Sequence, residues 1–278
     1  MKVLTVNFND QNAPKKFCQS LIETGFAVVE SHPIPHTTID AAFAAWKAFF
    51  DSPEKTQFTF NRETQDGYFP FRSENAKDSN IKDLKEFFHV YPHTKLPTST
   101  ELATRAVYKA LSELAQQLLG WIDDELPTSI KTQLSMPLRD MVLNSSDTLL
   151  RPIHYPPLTG GEEPGAIRAA AHEDINLITL LPAATAPGLE VLDTANQWHQ
   201  VACNPNTIVV NAGDMLQLAT GGYFRSTTHR VVNPEGLTAG GARFSMPLFL
   251  HPNPTVRLSK EYTAREYLNE RLRQIGLK

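Results

Sequence analysis

The chain has 278 residues, a formal charge of −4 and a sequence pI near 6.1; without a basic cluster it offers no footprint for nucleic acid. Hydrophobic residues make up 41% and charged residues 20%, the balance of an ordinary globular chain, and no apolar run approaches the ~18–20 residues of a membrane span. Its two cysteines, Cys18 and Cys203, lack metal-type spacing, and the start MKVLTVNFND has no apolar signal core, so the expectation is a cytoplasmic protein in a reducing compartment.

Residues 3–8 (VLTVNF) alternate like a strand. Ala13-Pro14 opens a helix whose apolar face is Phe17, Cys18, Leu21 and Ile22, with Gly25 as its stop. FAVVE (26–30) is a short strand. Thr37-x-x-Asp40 then precedes a helical stripe of Phe43, Trp46, Phe49 and Phe50 that ends at Pro53. Residues 58–80 are polar, carry Gly67 and Pro70, and read as a long irregular segment of the kind that is often functional. Residues 101–122 are the clearest helix, with Leu102, Ala106, Leu111, Leu114, Leu118 and Ile122 on one face. After about residue 140 short apolar runs alternate with Pro, Gly and Asn turns, the signal of a closed or sandwiched β unit. A capping box, Thr263-x-x-Glu266, opens a last helix bearing Tyr267, Leu268, Leu272 and Ile275. The chain therefore reads as one unit in three stretches: a largely helical 1–139, a β core over 140–252 and a C-terminal helix over 253–278.

The chemistry concentrates in the β stretch. The run AAHEDINLITLL holds His172 and Asp174, and STTHRVVNP holds His229. Positions i and i+2 of a strand share a face, so His172 and Asp174 point the same way while Glu173 points away. Two imidazoles and one carboxylate are the ligand set of a non-haem Fe(II) site with open positions, although His and Asp also suit zinc. Further on, Arg243 and Ser245 in ARFSMPLFL share a strand face and offer a guanidinium fork and a hydroxyl to one carboxylate. Tyr155 in PIHYPPL is read as aiming its hydroxyl at a bound carboxylate, against packing in the sheet; His154 alternates to the opposite face, and Arg151 has no assigned role. Arg168, four residues before His172, and Arg72, in the irregular segment, are candidate anchors for an anionic substrate. The competing reading turns both to solvent or pairs them with Glu162, Glu163 or Glu74. Asn211, Gly213 and Asp214 read as a structural turn, and His32, His36, His93, His199 and His251 have no partners at ligand spacing.

These motifs resemble the isopenicillin N synthase-like branch of the Fe(II)/2-oxoglutarate-dependent dioxygenases. HEDINLITLL is similar to that family's iron-binding strand, PIHYPPL to its Tyr-Pro strand, NAGDMLQLATGGYFRSTTHRV to the turn and strand leading to its last histidine, and Arg243-x-Ser245 to its 2-oxoglutarate clamp. GFAVVESHPIP and DLKEFFHVYP resemble its N-terminal region. The resemblance implies a mainly β fold with flanking helices around a double-stranded β-helix (jelly-roll) core. It also implies Fe(II) on His172, Asp174 and His229, 2-oxoglutarate held by Arg243, Ser245 and Tyr155, dioxygen as oxidant and a small-molecule substrate. The loop 233–241 looks longer than is common in that family. Asp174 argues against a halogenating relative, in which a small residue would free that position for halide. Two alternatives stand beside this reading: an Fe(II) oxidase that does not use 2-oxoglutarate, as in isopenicillin N synthase itself, and a non-catalytic binding protein on the same fold.

Overall fold

The computed structural model describes residues 1–75, 81–234, 241–274 and 276. Its first half runs β1 (Thr5–Asn7), α1 (Ala13–Thr24), β2 (Phe26–Glu30), α2 (His36–Asp51), β3 (Gly67–Phe69), β4 (Glu86–His89), α3 (Thr98–Glu125), α4 (Thr128–Lys131) and α5 (Leu138–Met141). The β-rich half follows as β5 (Leu149–Leu150), β6 (Ile153–Tyr155), β7 (Ala169–His172), β8 (Ile178–Pro182), β9 (Leu189–Leu192), β10 (Trp198–Gln200), β11 (Thr207–Ala212), α6 (Asp214–Ala219), β12 (His229–Val231), β13 (Arg243–Ser245) and β14 (Leu248–Leu250), and α7 (Ala264–Gln274) comes last. Three sheets build the jelly roll: β1-β2-β11-β8-β14-β5, β10-β9-β12-β7 and β13-β6-β4-β3.

Three antiparallel registers position the chemistry. Pairing of β12 with β7 sets His229 opposite His172. Pairing of β11 with β8 sets Asn211 opposite Thr179. Pairing of β13 with β6 sets Arg243 opposite Tyr155. Because opposed residues on one face stand about 4.5–5.5 Å apart, each pairing converts a long sequence separation into a local contact.

The helices pack on this frame through one large apolar core, in which Phe17, Leu21, Trp46, Phe49, Leu111 and Leu118 are essentially buried. Trp46 satisfies its indole N–H on Thr104 Oγ1 at 3.0 Å. Leu102, expected on the inward face of α3, is 88% exposed. The buried stripe begins instead at Thr100, Thr104 and Val107, because polar threonines there turn inward to bond backbone and indole. The capping box of α7 forms, with Thr263 N donating to Glu266 at 2.8 Å and Glu266 N donating to Thr263 Oγ1 at 3.3 Å. Part of the segment read as irregular is ordered as β3, whose residues are all buried; residues 76–80 of it, and Ile275, lie outside the described residues.

Gly25 joins α1 to β2 in the left-handed region (φ 74°), and a Cβ there would stand 2.2 Å from Thr227 Oγ1. Gly25→Ala is expected to cost at least about 1–2 kcal/mol of stability from the backbone alone, with the clash added. Urea denaturation measures this, and an unchanged midpoint would show that the neighbouring backbone yields freely.

Candidate functional site

His172, Asp174 and His229 form the only cluster of potential metal ligands among the described residues, with one donor atom from each lying within 4.8 Å of the others. Asp174 Oδ1 is 3.8 Å from His172 Nε2 and 3.7 Å from His229 Nε2. The other side of every group is occupied. His172 Nδ1 donates to Ala170 O at 2.8 Å and His229 Nδ1 to Thr227 O at 3.1 Å. That arrangement fixes the tautomer and leaves both Nε2 lone pairs facing the centre. Asp174 Oδ2 accepts from Thr179 Oγ1 at 2.6 Å and Asn211 Nδ2 at 2.8 Å, so Oδ1 alone is left to face the histidines. Burial, and next the neighbouring His229, lower His172 to about 4, a neutral imidazole ready to coordinate. Burial works to raise the Asp174 carboxyl, but His229, His172 and the two hydrogen bonds outweigh it and hold it below the usual range. Glu173 faces away and accepts from Thr228 Oγ1 at 2.7 Å.

Arg243 is 2% exposed and Ser245 4%. Arg243 Nε donates to Ala186 O at 2.9 Å, its guanidinium carbon lies 5.0 Å from the centre of the Tyr155 ring, and its Nη1 has no partner. A buried fork with a free N–H is the feature a carboxylate would complete. His154, on the other face of β6, bonds Glu86 at 2.7 Å and stacks on Phe244. The two candidate substrate arginines part company. Arg72 is exposed and ion-paired to Glu163 at 3.1 Å, so the expectation that it reaches into the site is not met; a protein carboxylate already satisfies it on the surface. Arg168 is 1% exposed and lies beside Tyr155.

A cavity of about 310 Å³ opens against the triad. It is lined in part by His172 and Asp174, and by Leu268 and Leu272 of α7. Its lining cations are paired to protein carboxylates, Arg271 to Asp214 at 2.8 Å. Lys85 meets Glu74 at 2.7 Å and Asp83 at 2.8 Å, and Arg151 meets Glu74 at 3.6 Å. Burial opposes the charge of Lys85, yet Glu74 and Asp83 hold it above its ordinary range. The Arg151 guanidinium sits over the rings of Phe87 and Phe249, at 4.7 and 5.3 Å. Two further lining histidines, His89 and His251, give their Nδ1 protons to Gln65 O and Phe249 O, both at 3.1 Å, and their buried Nε2 atoms have no partner. Sequence reading placed His89 only in the stretch expected to cover the pocket mouth and gave His251 no role; it missed Thr179 and the role of Asn211 beside Asp174. None of these positions carries a spacing signal, since each acts across a fold contact.

The model of the 2OG-Fe(II) oxygenase superfamily matches residues 140–252, and that of the N-terminal region of the non-haem dioxygenases in morphine synthesis matches residues 6–110. Proline hydroxylase buaE of Petromyces alliaceus is 31% identical over 92% of this chain and 91% of its own. The crystal structure of a protein assigned as an oxygenase from Shewanella oneidensis is 49% identical, covers 100% of both chains and superposes with a TM-score of 0.90. A full-length Neurospora crassa protein crystallised in complex with alpha-KG shares the fold at a TM-score of 0.79 and 21% identity, over 97% of this chain and 95% of its own.

Proposed function

Because the chain belongs to the Fe(II)/2-oxoglutarate-dependent dioxygenase family and oxidises a small organic substrate as 2-oxoglutarate is decarboxylated to succinate, we propose which of its residues do this work. His172, Asp174 and His229 hold the iron; Arg243, Ser245 and Tyr155 hold 2-oxoglutarate. The supporting observation is the donor set itself. Three donor atoms converge while every opposite atom is tied to a backbone carbonyl, a hydroxyl or an amide. Iron, 2-oxoglutarate and dioxygen supply the oxidising chemistry when bound. The protein's part is to orient the ligands, to anchor the co-substrate through the free N–H of Arg243 and to keep the reacting face under a small, partly dry cavity. The 2-oxoglutarate-independent oxidase and the non-catalytic binder receive no support from the relatives.

Asn211→Ala tests the second layer of this site. Without its amide, Asp174 Oδ2 keeps only the Thr179 hydroxyl, and iron affinity is expected to fall about 10- to 100-fold while 2-oxoglutarate binding to fully iron-loaded protein stays near wild type. Metal titration under anaerobic conditions measures it; unchanged iron affinity would leave Asn211 a structural strand residue only.

The substrate we propose is small, uncharged and polar. Pockets for small molecules span about 300–1,000 Å³, and this one stands at the lower end. Its cations already face protein carboxylates, while two imidazole Nε2 acceptors wait for a donor. The expectation of an anionic substrate loses Arg72 to Glu163, and Arg168 is not among the cavity's lining residues. An anaerobic titration of Fe(II) protein with 2-oxoglutarate, read as a weak visible charge-transfer band, tests the oxygenase site. A succinate-release screen that pairs neutral amides, lactams and alcohols with carboxylates of the same skeleton tests the substrate; stimulation by the carboxylates alone would overturn the uncharged class. A reducing, cytoplasmic setting belongs to the same reading, supported by two unpaired cysteines. No described helix is long and apolar enough to cross a membrane.

A further inference from the structure

Arg168, beside Arg243, poses a problem that the site above leaves open. Both guanidinium groups are buried, at 1% and 2% exposure, and both flank the ring of Tyr155, at 5.9 and 5.0 Å. Each donates to a backbone carbonyl. Arg168 Nη2 donates to Gly241 O at 2.8 Å, and Arg243 Nε donates to Ala186 O at 2.9 Å. Each keeps a buried N–H with no partner, Nε of Arg168 and Nη1 of Arg243. Among the described residues no carboxylate is ion-paired to either. Burial first, and the neighbouring Arg243 second, pull Arg168 below its usual value.

Two like charges held together out of water are costly, and an unpaired buried charge is the expensive half of any buried pair. A fold keeps such an arrangement when an anion completes it. The ring contacts give the location. Arg168 sits just before β7, and its guanidinium lies over the ring of Tyr155, where Arg243 and Tyr155 meet across β13 and β6. It is not on the wall of the cavity beside His89 and His251. A carboxylate has two oxygens and about four acceptor positions, so a second guanidinium can share them with Arg243 and the neighbouring hydroxyls.

Resting on the 2-oxoglutarate reading above, we propose that Arg168 is a second anchor for the distal carboxylate of 2-oxoglutarate, gripping it together with Arg243 and Ser245. It is a specificity-determining residue for the co-substrate and not for the primary substrate. The site then selects a five-carbon keto diacid over keto acids that lack the second carboxylate.

The test is keto-acid binding to the Fe(II)-loaded protein under anaerobic conditions, by titration calorimetry and by the visible band. Wild type, Arg168→Met and Arg168→Lys are titrated with 2-oxoglutarate and with 2-oxobutyrate, which keeps the chelating end and lacks the distal carboxylate. Arg168→Met should bind 2-oxoglutarate about 10- to 100-fold more weakly and 2-oxobutyrate within about twofold of wild type, with iron content unchanged. Lysine should recover part of the loss, since it restores the charge without the fork. Equal 2-oxoglutarate affinity in wild type and Arg168→Met overturns the proposal, as does an equal loss for both keto acids. Should Arg168→Met not fold, a crystal structure of the wild type with Fe(II) and 2-oxoglutarate decides: an Arg168 nitrogen within about 3.2 Å of the distal carboxylate supports the assignment, and a separation beyond that range overturns it. If wild type itself binds no 2-oxoglutarate, the family reading of the site fails, a result distinct from a silent Arg168.

Discussion

Asp174→Ala should empty the metal site and leave the jelly roll standing. The carboxylate does two jobs: Oδ1 faces the two imidazoles, and Oδ2 receives Thr179 and Asn211. Removing it takes away the only anionic donor of the cluster, so iron binding should fall further than the ~10- to 100-fold expected for an outer-layer change, and turnover with it. The fold keeps its apolar core, which the substitution does not touch. Two buried donors lose their acceptor, at about 1–3 kcal/mol each if nothing replaces it, so a lower melting temperature with an unchanged far-ultraviolet circular dichroism spectrum is the expected signature. His172→Ala should lose the metal with less effect on stability, because its side chain is 38% exposed at the cavity rim where that of Asp174 is 3%. Stoichiometric iron and normal succinate release in either variant would remove the ligand assignment.

What the sequence made legible follows from where the information lies. His172 and Asp174 are readable because a strand's period of two needs no knowledge of the fold, and the same rule joins Arg243 to Ser245. The helices announced themselves through apolar stripes, two ending at Gly25 and Pro53 and the last opened by the capping box at Thr263. Leu102 misled because hydrophobicity alone cannot tell that Thr100 and Thr104 have partners waiting inside. Asn211 looked like a turn residue but is a strand residue, paired within β11; its bond to Asp174 exists only once β11 and β8 have paired in register. His89 and His251 come from different strands and loops, and nothing in their neighbours hints that one cavity receives both. Arg72 and Arg168 looked alike in sequence. The fold separates them by giving one a surface glutamate and the other a buried guanidinium for a neighbour.

Arg243→Ala should cost 2-oxoglutarate affinity and spare iron. A charge-assisted hydrogen bond in a partly dry site contributes about 1.5–3 kcal/mol, or roughly tenfold to hundredfold in affinity at about 1.4 kcal/mol per decade. Arg243→Lys should recover only part of it, since a lysine lacks the planar fork that meets two carboxylate oxygens at once. The protein without co-substrate should respond differently. Arg243 there is a buried cation with an unpaired Nη1 and a second buried cation, Arg168, beside the same ring. Removing it relieves repulsion and strands no acid among the described residues, so the apo variant should melt close to wild type despite losing the bond to Ala186 O. The two should separate when 2-oxoglutarate is added. Wild type gains stability as ligand concentration passes its dissociation constant, and the variant gains nothing until concentrations tenfold to hundredfold higher. Equal ligand-induced shifts in melting temperature, with equal affinities by titration, would place the distal carboxylate elsewhere and leave Arg243 a structural cation.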